Sequence, residues 1–169
     1  MREGHVFYAD HDHVHVLRYV GDIRFPLAPS VSSFVDSLFE HLNGDDLVLD
    51  LSDADAIDST NLGEIARMAE LLWDHSHKRA AIISTRAEIN RVLYSMAFHE
   101  IFDICTQSRG PTEGLPIPKV SASQELSLRV ILEAHRRLME MSENNRRQFC
   151  EVVELMERDV GRSPQPRHH

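Results

Sequence analysis

The spacing of apolar residues along this chain switches between strand-like alternation, solid apolar runs and helical repeats, and each switch marks an element. Val6 to Ala9 and Val14 to Val20 read as two strands around the polar turn Asp10-His11-Asp12, with Val14 and Val16 on one face, which predicts an N-terminal hairpin. Gly21-Asp22 and the prolines Pro26 and Pro29 interrupt the pattern. Val31, Phe34, Val35, Leu38 and Leu42 then recur at helical spacing until Asn43-Gly44 stops them. Leu47-Val48-Leu49-Asp50-Leu51 is a short, nearly continuous apolar run, as expected of a central strand covered on both sides in a sheet with helices packed on it.

The next segment moves from strand through polar turn to helix without a break. Ile57-Asp58-Ser59-Thr60-Asn61-Leu62-Gly63 runs directly into Leu62, Ile65, Ala66, Ala69, Leu72 and Trp73 at helical spacing. Ala80 to Ser84 predicts another buried strand. Thr85-Arg86-Ala87-Glu88 has the form of a capping box opening a helix that buries Ile89, Val92, Leu93 and Met96. Phe102 to Thr106 completes the expected core, residues 1–106.

Residues 107–122 contain Gly110, Pro111, Gly114, Pro116 and Pro118, which predicts a linker with little regular structure. Two helices are expected over residues 123–160. The first should bury Leu128, Ile131, Leu132, Leu138 and Met139, and the second, starting near Ser142, Phe149, Val152, Val153 and Met156. Residues 161–169 lack periodicity and read as a frayed tail. If the apolar stripe of the second helix finds no room on the sheet, a homodimer or a dedicated partner groove is the alternative to simple extra packing.

Composition narrows the function classes. The chain has 169 residues, a size that supports a core without metal or disulfide staples, and its two cysteines, Cys105 and Cys150, read as reduced thiols. No stretch approaches the roughly 18 apolar residues of a membrane span, and the start lacks the features of a secretion signal, so a cytoplasmic protein is expected. Residues 1–122 hold 10 basic and 19 acidic residues, whereas the remainder holds 8 of each, so the formal net charge of −9 belongs to the first part. An acidic surface repels phosphate backbones and disfavours nucleic acid as a partner. The doublets Arg136-Arg137 and Arg146-Arg147 have acids within a turn or two and read as solvated helix faces.

Few residues carry the pattern of an enzyme. A Gly-x-Ser-x-Gly elbow, a phosphate-cradling Gly-x-x-x-x-Gly-Lys loop and a His-Glu-x-x-His pair are all absent from the sequence. Ser59 as a nucleophile would need a histidine base, and nothing nearby in the sequence supplies one. His11, His13 and His15 alternate on the hairpin, but an ordinary exposed polar face explains them more simply than a metal site. The series Asp45, Asp46, Asp50, Asp53, Asp55 and Asp58 fits no cation-binding loop and reads as an acidic rim. No metal or cofactor is expected.

Ser59 and Thr60 remain. Both lie where a strand meets a helix, beside unpaired backbone N–H groups and the positive end of the helix dipole. There they serve either as helix N-caps or as acceptors of phosphate.

The order of elements, together with Gly21-Asp22-Ile23, Leu49-Asp50-Leu51 and Asp58-Ser59-Thr60-Asn61-Leu62-Gly63, resembles the STAS domain, the fold of anti-sigma factor antagonists. Asn90-Arg91-Val92-Leu93 through Phe98 and Phe102-Asp103-Ile104 resemble the later part of that family's pattern. The resemblance spans about residues 5 to 106, with the helix after Ser121 in the place of the family's last helix. It implies an α/β fold with a mixed sheet, an N-terminal hairpin, helices packed on the sheet and a C-terminal helical extension.

The resemblance further implies a bacterial, non-enzymatic regulator phosphorylated at Ser59, with Thr60 as a secondary acceptor. Its partners would be an anti-sigma factor acting as a Ser/Thr kinase and a phosphatase that resets the switch. The expected docking surface comprises Asp22, Arg24, Asp55, Asp58, Ser59, Thr60, Asn61, Leu62 and Gly63. Two positions depart from the family pattern. Asn61 replaces a usual glycine and adds a side chain where a partner would approach, and Arg24 stands where many relatives carry an acid. The alternatives are a regulatory subunit that docks an ATPase or transport component without phosphorylation, and a small-molecule sensor with a pocket lined from the hairpin and the helix faces.

Overall fold

The computed structural model describes residues 2–107 and 114–161. β1 (His5–His11) and β2 (Val14–Ile23) form the expected hairpin, closed by Asp12 and His13, both at positive φ. Two successive left-handed residues give the turn whose twist matches that of its strands. Along β2 the residues alternate, with His15, Leu17, Tyr19 and Ile23 buried and Val14, Val16, Arg18 and Val20 half-buried. The sheet therefore has one fully covered face.

β3 (Asp46–Ile57) pairs parallel to β2, followed by β4 (Ala81–Ile83) and β5 (Asp103–Cys105), also parallel. The sheet order is β5-β4-β3-β2-β1-β6, where β6 is Leu115–Pro116. α1 (Ala28–Glu40), α2 (Ser59–Ser76) and α3 (Ala87–Ser95) link the parallel strands, each stepping the same way across the sheet. Pro29 lies in the first turn of α1, where its missing N–H costs nothing.

Several expectations need correction. β3 continues six residues past Leu51, because its second half pairs with the end of β2, up to Ile23 opposite Ile57, and its acids find cations. β3 also has Val48 only half-buried, so it is not covered equally on both sides. The capping box before α3 is not formed: Arg86 is the N-cap residue and supplies no side-chain bond to the helix. The 107–122 segment is not merely a connector. β6 adds an edge strand antiparallel to β1, Ile117 enters the core, and the Val120 N–H donates to Ser30 Oγ at 3.0 Å. Pro116 is tolerated because an edge strand leaves one row of N–H groups unused. Residues 108–113 of that segment and 162–169 of the expected tail lie outside the described residues.

α4 (Gln124–Met141) and α5 (Glu143–Gly161) are joined at Ser142, whose hydroxyl oxygen accepts the Asn145 N–H at 3.1 Å. α5 doubles back along α4, as the Arg136–Glu157 pair at 2.9 Å shows. α4 is gripped by α2 on one side and α5 on the other, so its buried arc is wider than the sequence suggests. Val130, Ala134 and His135 join Leu132 and Leu138, while Leu128, Ile131 and Met139 are half-buried. On α5, Phe149 and Val153 are buried as expected, Met156 is half-buried and Val152 is exposed. Leu138 and Phe149 belong to the same core as the sheet, so the C-terminal pair is packed onto the domain.

α2 and α4 touch at Gly63. A Cβ there would lie 2.5 Å from the Ala134 carbonyl oxygen, a backbone atom that cannot step aside without moving the helix. Gly63→Ala should therefore lose about 1–3 kcal/mol in urea unfolding despite the better helix propensity of alanine. Helical Gly161, with open space around its Cβ direction, provides the control: Gly161→Ala should be neutral or slightly stabilising.

Candidate functional site

The start of α2 is set by Asp58. Its backbone is extended (φ −86°, ψ 169°), and its Oδ1 accepts the Asn61 backbone N–H at 3.0 Å and the Asn61 side-chain N–H at 2.9 Å. This is an N-cap, and it makes Ser59 the first helical residue rather than the cap itself. The Asp58 N–H donates to the Ile23 carbonyl at 3.0 Å, which ties the helix start to the end of β2.

Freed from capping, Ser59 Oγ lies 2.8 Å from Nε2 of His135 on α4. His135 is 5% exposed, its Nδ1 is 2.7 Å from the Ile131 carbonyl oxygen, and its ring meets Phe149 of α5 edge-on with centroids 5.3 Å apart. Ser59 itself is half-buried. Thr60, 4% exposed, and Asn61, 1% exposed, point into the domain, and Leu62 and Gly63 are buried with them. The expected surface run from Ser59 to Gly63 is thus reachable chiefly at Ser59. Asn61 does not obstruct an approaching partner, since its side chain is folded back onto Asp58.

Of the remaining expected residues, Asp22 and Asp55 lie near the ends of β2 and β3, the strand ends that adjoin the start of α2. Asp22 pairs with Arg24 at 2.7 Å. Asp55 is held between Arg2 at 3.1 Å and Arg86 at 2.8 Å, and the hydrogen bonds from these two guanidinium groups bring its pKa down to about 2. Arg18 approaches Asp53 at 3.6 Å. Phe25, in the short turn after Arg24, is 53% exposed, an apolar side chain open to solvent. A groove of about 530 Å³ lined by Arg2, Gly4, Asp22, Arg24, Leu27 and Lys119 borders the hairpin side.

Sequence reasoning missed His135, Arg2, Arg86 and Phe25 as members of the site. His135 did leave a signal, because it falls on the helical stripe Leu128, Ile131, Leu132, His135, Leu138, Met139 as the one polar member. The two arginines left none, since each acts across more than 30 residues of chain.

His13 and His15 tie the hairpin to the turn before β3. His15 is buried, with Nδ1 2.6 Å from the Tyr8 hydroxyl and Nε2 2.8 Å from Asp45, while His13 meets the same carboxylate at 3.2 Å. Hydrogen bonding to His15 holds Asp45 below the usual carboxylate range. His11 turns instead to Asp12, so the three histidines do not converge, and no group of three metal-ligating side chains occurs among the described residues. On α2, Glu64 is buried against Arg67, which also reaches Asp36 and Ser32 on α1; burial pushes the Glu64 carboxyl up in spite of this partner.

No family model and no curated protein matches the sequence. Solved structures do. An anti-sigma factor antagonist from Mycobacterium paratuberculosis superposes with a TM-score of 0.55 at 20% identity, covering 62% of this chain and 87% of that one. TM1081, determined by NMR, superposes with a TM-score of 0.52 at 25% identity, covering 62% of this chain and 84% of that one. The fold is STAS-like: a mixed six-stranded sheet with helices packed on it.

The Asp55 cluster predicts an acid-range signature. A carboxyl held near 2 in the folded protein and at 3.8 when free stabilises the fold above about pH 4 and loses that contribution as pH falls towards 2. Asp55→Asn should be less stable than wild type at neutral pH, and the gap should close between about pH 4 and pH 2 in urea titrations. A gap that stays constant across that range would contradict the pairing.

Proposed function

We propose that this STAS-like domain is an anti-sigma factor antagonist that works by phosphorylation-controlled partner switching, with Ser59 as the modified residue. The observation that supports this most directly is the state of the Ser59 hydroxyl. It sits at the mouth of α2, is not used as a helix cap, and remains half-buried at the surface while its neighbour Thr60 is enclosed. The likeness to an anti-sigma factor antagonist points the same way. On this reading Thr60 is not a second acceptor.

The unmodified surface suits a protein partner. Asp55 and Asp58 would repel an incoming acidic surface if they were free, but the first is held by two arginines and the second by the amides of its own helix. What remains is a nearly balanced patch of Asp22, Arg24, Asp55, Arg86 and Ser59 with Phe25 exposed beside it. Phosphate adds about −1.5 to −2 charge and three strong acceptors. The start of α2 favours that charge by about 0.3–1 kcal/mol, whereas burying it unpaired under a partner costs several kcal/mol. The modified domain stays folded and loses its partner.

The circuit then contains an anti-sigma factor that doubles as a Ser/Thr kinase and a phosphatase that restores the hydroxyl. On this reading the kinase activity belongs to the partner, and no cofactor is assigned to the domain. No helix among the described residues is long and apolar enough to cross a membrane, and we assign the action to the cytoplasm.

Protein purified from its own host should carry one phosphate on Ser59 that phosphatase removes. In pull-downs Ser59→Ala should retain a kinase-type partner that Ser59→Asp binds at least tenfold more weakly. Equal retention, with no phosphate on the native protein, would favour a docking subunit that is never modified.

A further inference from the structure

The geometry points to His135 as the proton acceptor of Ser59 during phosphorylation and as the counter-ion of the phosphate afterwards. This rests on Ser59 being the modified residue. Neither role is visible around Ser59 in sequence, because the two residues are 76 positions apart.

The ring's two nitrogens have distinct partners. Nδ1 is 2.7 Å from the Ile131 carbonyl oxygen, which can only accept, so Nδ1 carries a proton. The ring is almost fully buried, meets the edge of Phe149 and bonds to no carboxylate among the described residues. With its proton on Nδ1, the neutral ring presents a lone pair at Nε2, to which the Ser59 hydroxyl 2.8 Å away donates. The serine proton points at a base, which leaves the oxygen's own lone pairs for an electrophile arriving from the half-open side.

The ring is also held in place. Ala134 is locked against Gly63, four residues along α2 from Ser59, so α4 cannot slide without breaking that contact. A hydrogen-bonded carbonyl, an aromatic wall and a helix contact together fix the imidazole before any phosphoryl donor arrives, which is the preorganisation that a proton acceptor needs.

In the transfer, a kinase partner brings a nucleoside triphosphate. Ser59 Oγ bonds to the γ-phosphorus as the bond to the bridging oxygen breaks, the nucleoside diphosphate leaves, and the hydroxyl proton passes to Nε2 of His135. The product is a phosphoserine beside an imidazolium whose Nε2–H now donates to a phosphate oxygen. The donor and acceptor roles of the pair reverse, and a neutral hydrogen bond between α2 and α4 becomes a charged one. Part of the added negative charge is compensated within the domain, and a competing partner must displace an internal ion pair to reach it.

The test does not need the kinase. Phosphoserine is installed at position 59 during translation, and the protein is labelled with ¹⁵N-histidine. At pH 7.5 His135 should show the neutral, Nδ1-protonated form in the unmodified protein and the doubly protonated form in the phosphoprotein. Neutral His135 in both would overturn the counter-ion role. For the proton-acceptor role, methanesulfonyl fluoride serves as a small electrophile: the Oγ–S bond forms, fluoride leaves and the proton goes to His135. Sulfonylation of Ser59 should fall at least 100-fold in His135→Gln, a variant whose amide can bridge Ser59 and Ile131 and whose folding is verified by urea unfolding. A ratio below ten overturns that role, including the case in which neither protein reacts.

The outcomes separate the two claims. Unphosphorylated Ser59 in the host together with the expected spectra would end the switching function and leave the Ser59–His135 chemistry standing. Phosphorylated Ser59 with an unresponsive His135 would do the reverse.

Discussion

The site depends on how closely α2 and α4 can approach. Gly63 has no side chain, and Ala134 fills the space that one would occupy. Ser59 and Gly63 are one turn apart on α2, so the contact that brings Ala134 onto Gly63 also carries His135 over Ser59. The magnitudes show the direction of dependence. A hydrogen bond such as Ser59–His135 contributes about 0.5–1.5 kcal/mol net, whereas each fully buried aliphatic side chain contributes about 1.5–3 kcal/mol. Leu132, Leu138, Phe149 and Val153 thus hold the helical pair in place, and the pair holds the imidazole. The hydrogen bond is a consequence of the packing, which leaves it free to change its character without endangering the fold.

Electrostatics around the serine follow a different logic. The first 122 residues carry the whole net negative charge, yet the acids nearest Ser59 are each engaged, Asp22 by Arg24, Asp53 by Arg18, Asp55 by Arg2 and Arg86, and Asp58 by the helix it caps. Exposed pairs of this kind contribute little to the stability of a fold. Their larger effect is local, because they cancel the field that would otherwise surround the hydroxyl. A phosphate added to an already anionic patch changes its sign very little. Added to a balanced one, as the proposed function requires, it would change the character of the surface and so become readable by a partner.

Much of this was legible in the sequence wherever the cause was local. The hairpin, α1, the start of α2 and the two C-terminal helices each rest on a repeat or a breaker within ten or twenty residues, and Ser59 stood out because strand, polar turn and helix follow one another there without interruption. The rest depended on residues far apart in the chain. β3 was read too short because Ser52-Asp53-Ala54-Asp55 is polar, and only its pairing with β2 and the arginines shows why polar residues can continue a strand. β6 was hidden because prolines signal loops, while an edge position beside β1 accepts one. Thr85-Arg86-Ala87-Glu88 has the form of a capping box, but Arg86 takes the N-cap position without a side-chain bond to the helix and carries its cation to Asp55. His135 stands within an apolar stripe, and nothing in the chain says which residue of another helix it will meet.

The choice between the two adjacent hydroxyls turns on the helix register. Successive residues on an α-helix point about 100° apart, so residues 59 and 60 cannot both face the rim. With Asp58 as N-cap, Ser59 takes the first helical position and lies against His135 at the surface, and Thr60 turns into the domain. Starting the helix one residue later would leave the core-facing residues of α2 unchanged, since Leu62, Ile65, Ala66 and Ala69 fix its rotation, but it would remove Ser59 from helical geometry and from its distance to Nε2. Asp58 therefore does more than satisfy an amide. Its cap, worth about 1 kcal/mol in typical helices, determines that of the two adjacent hydroxyls the one reachable from outside and bonded to His135 is that of Ser59. Asp58 thus acts chiefly by placing the atom that, on the proposed function, would receive the phosphate.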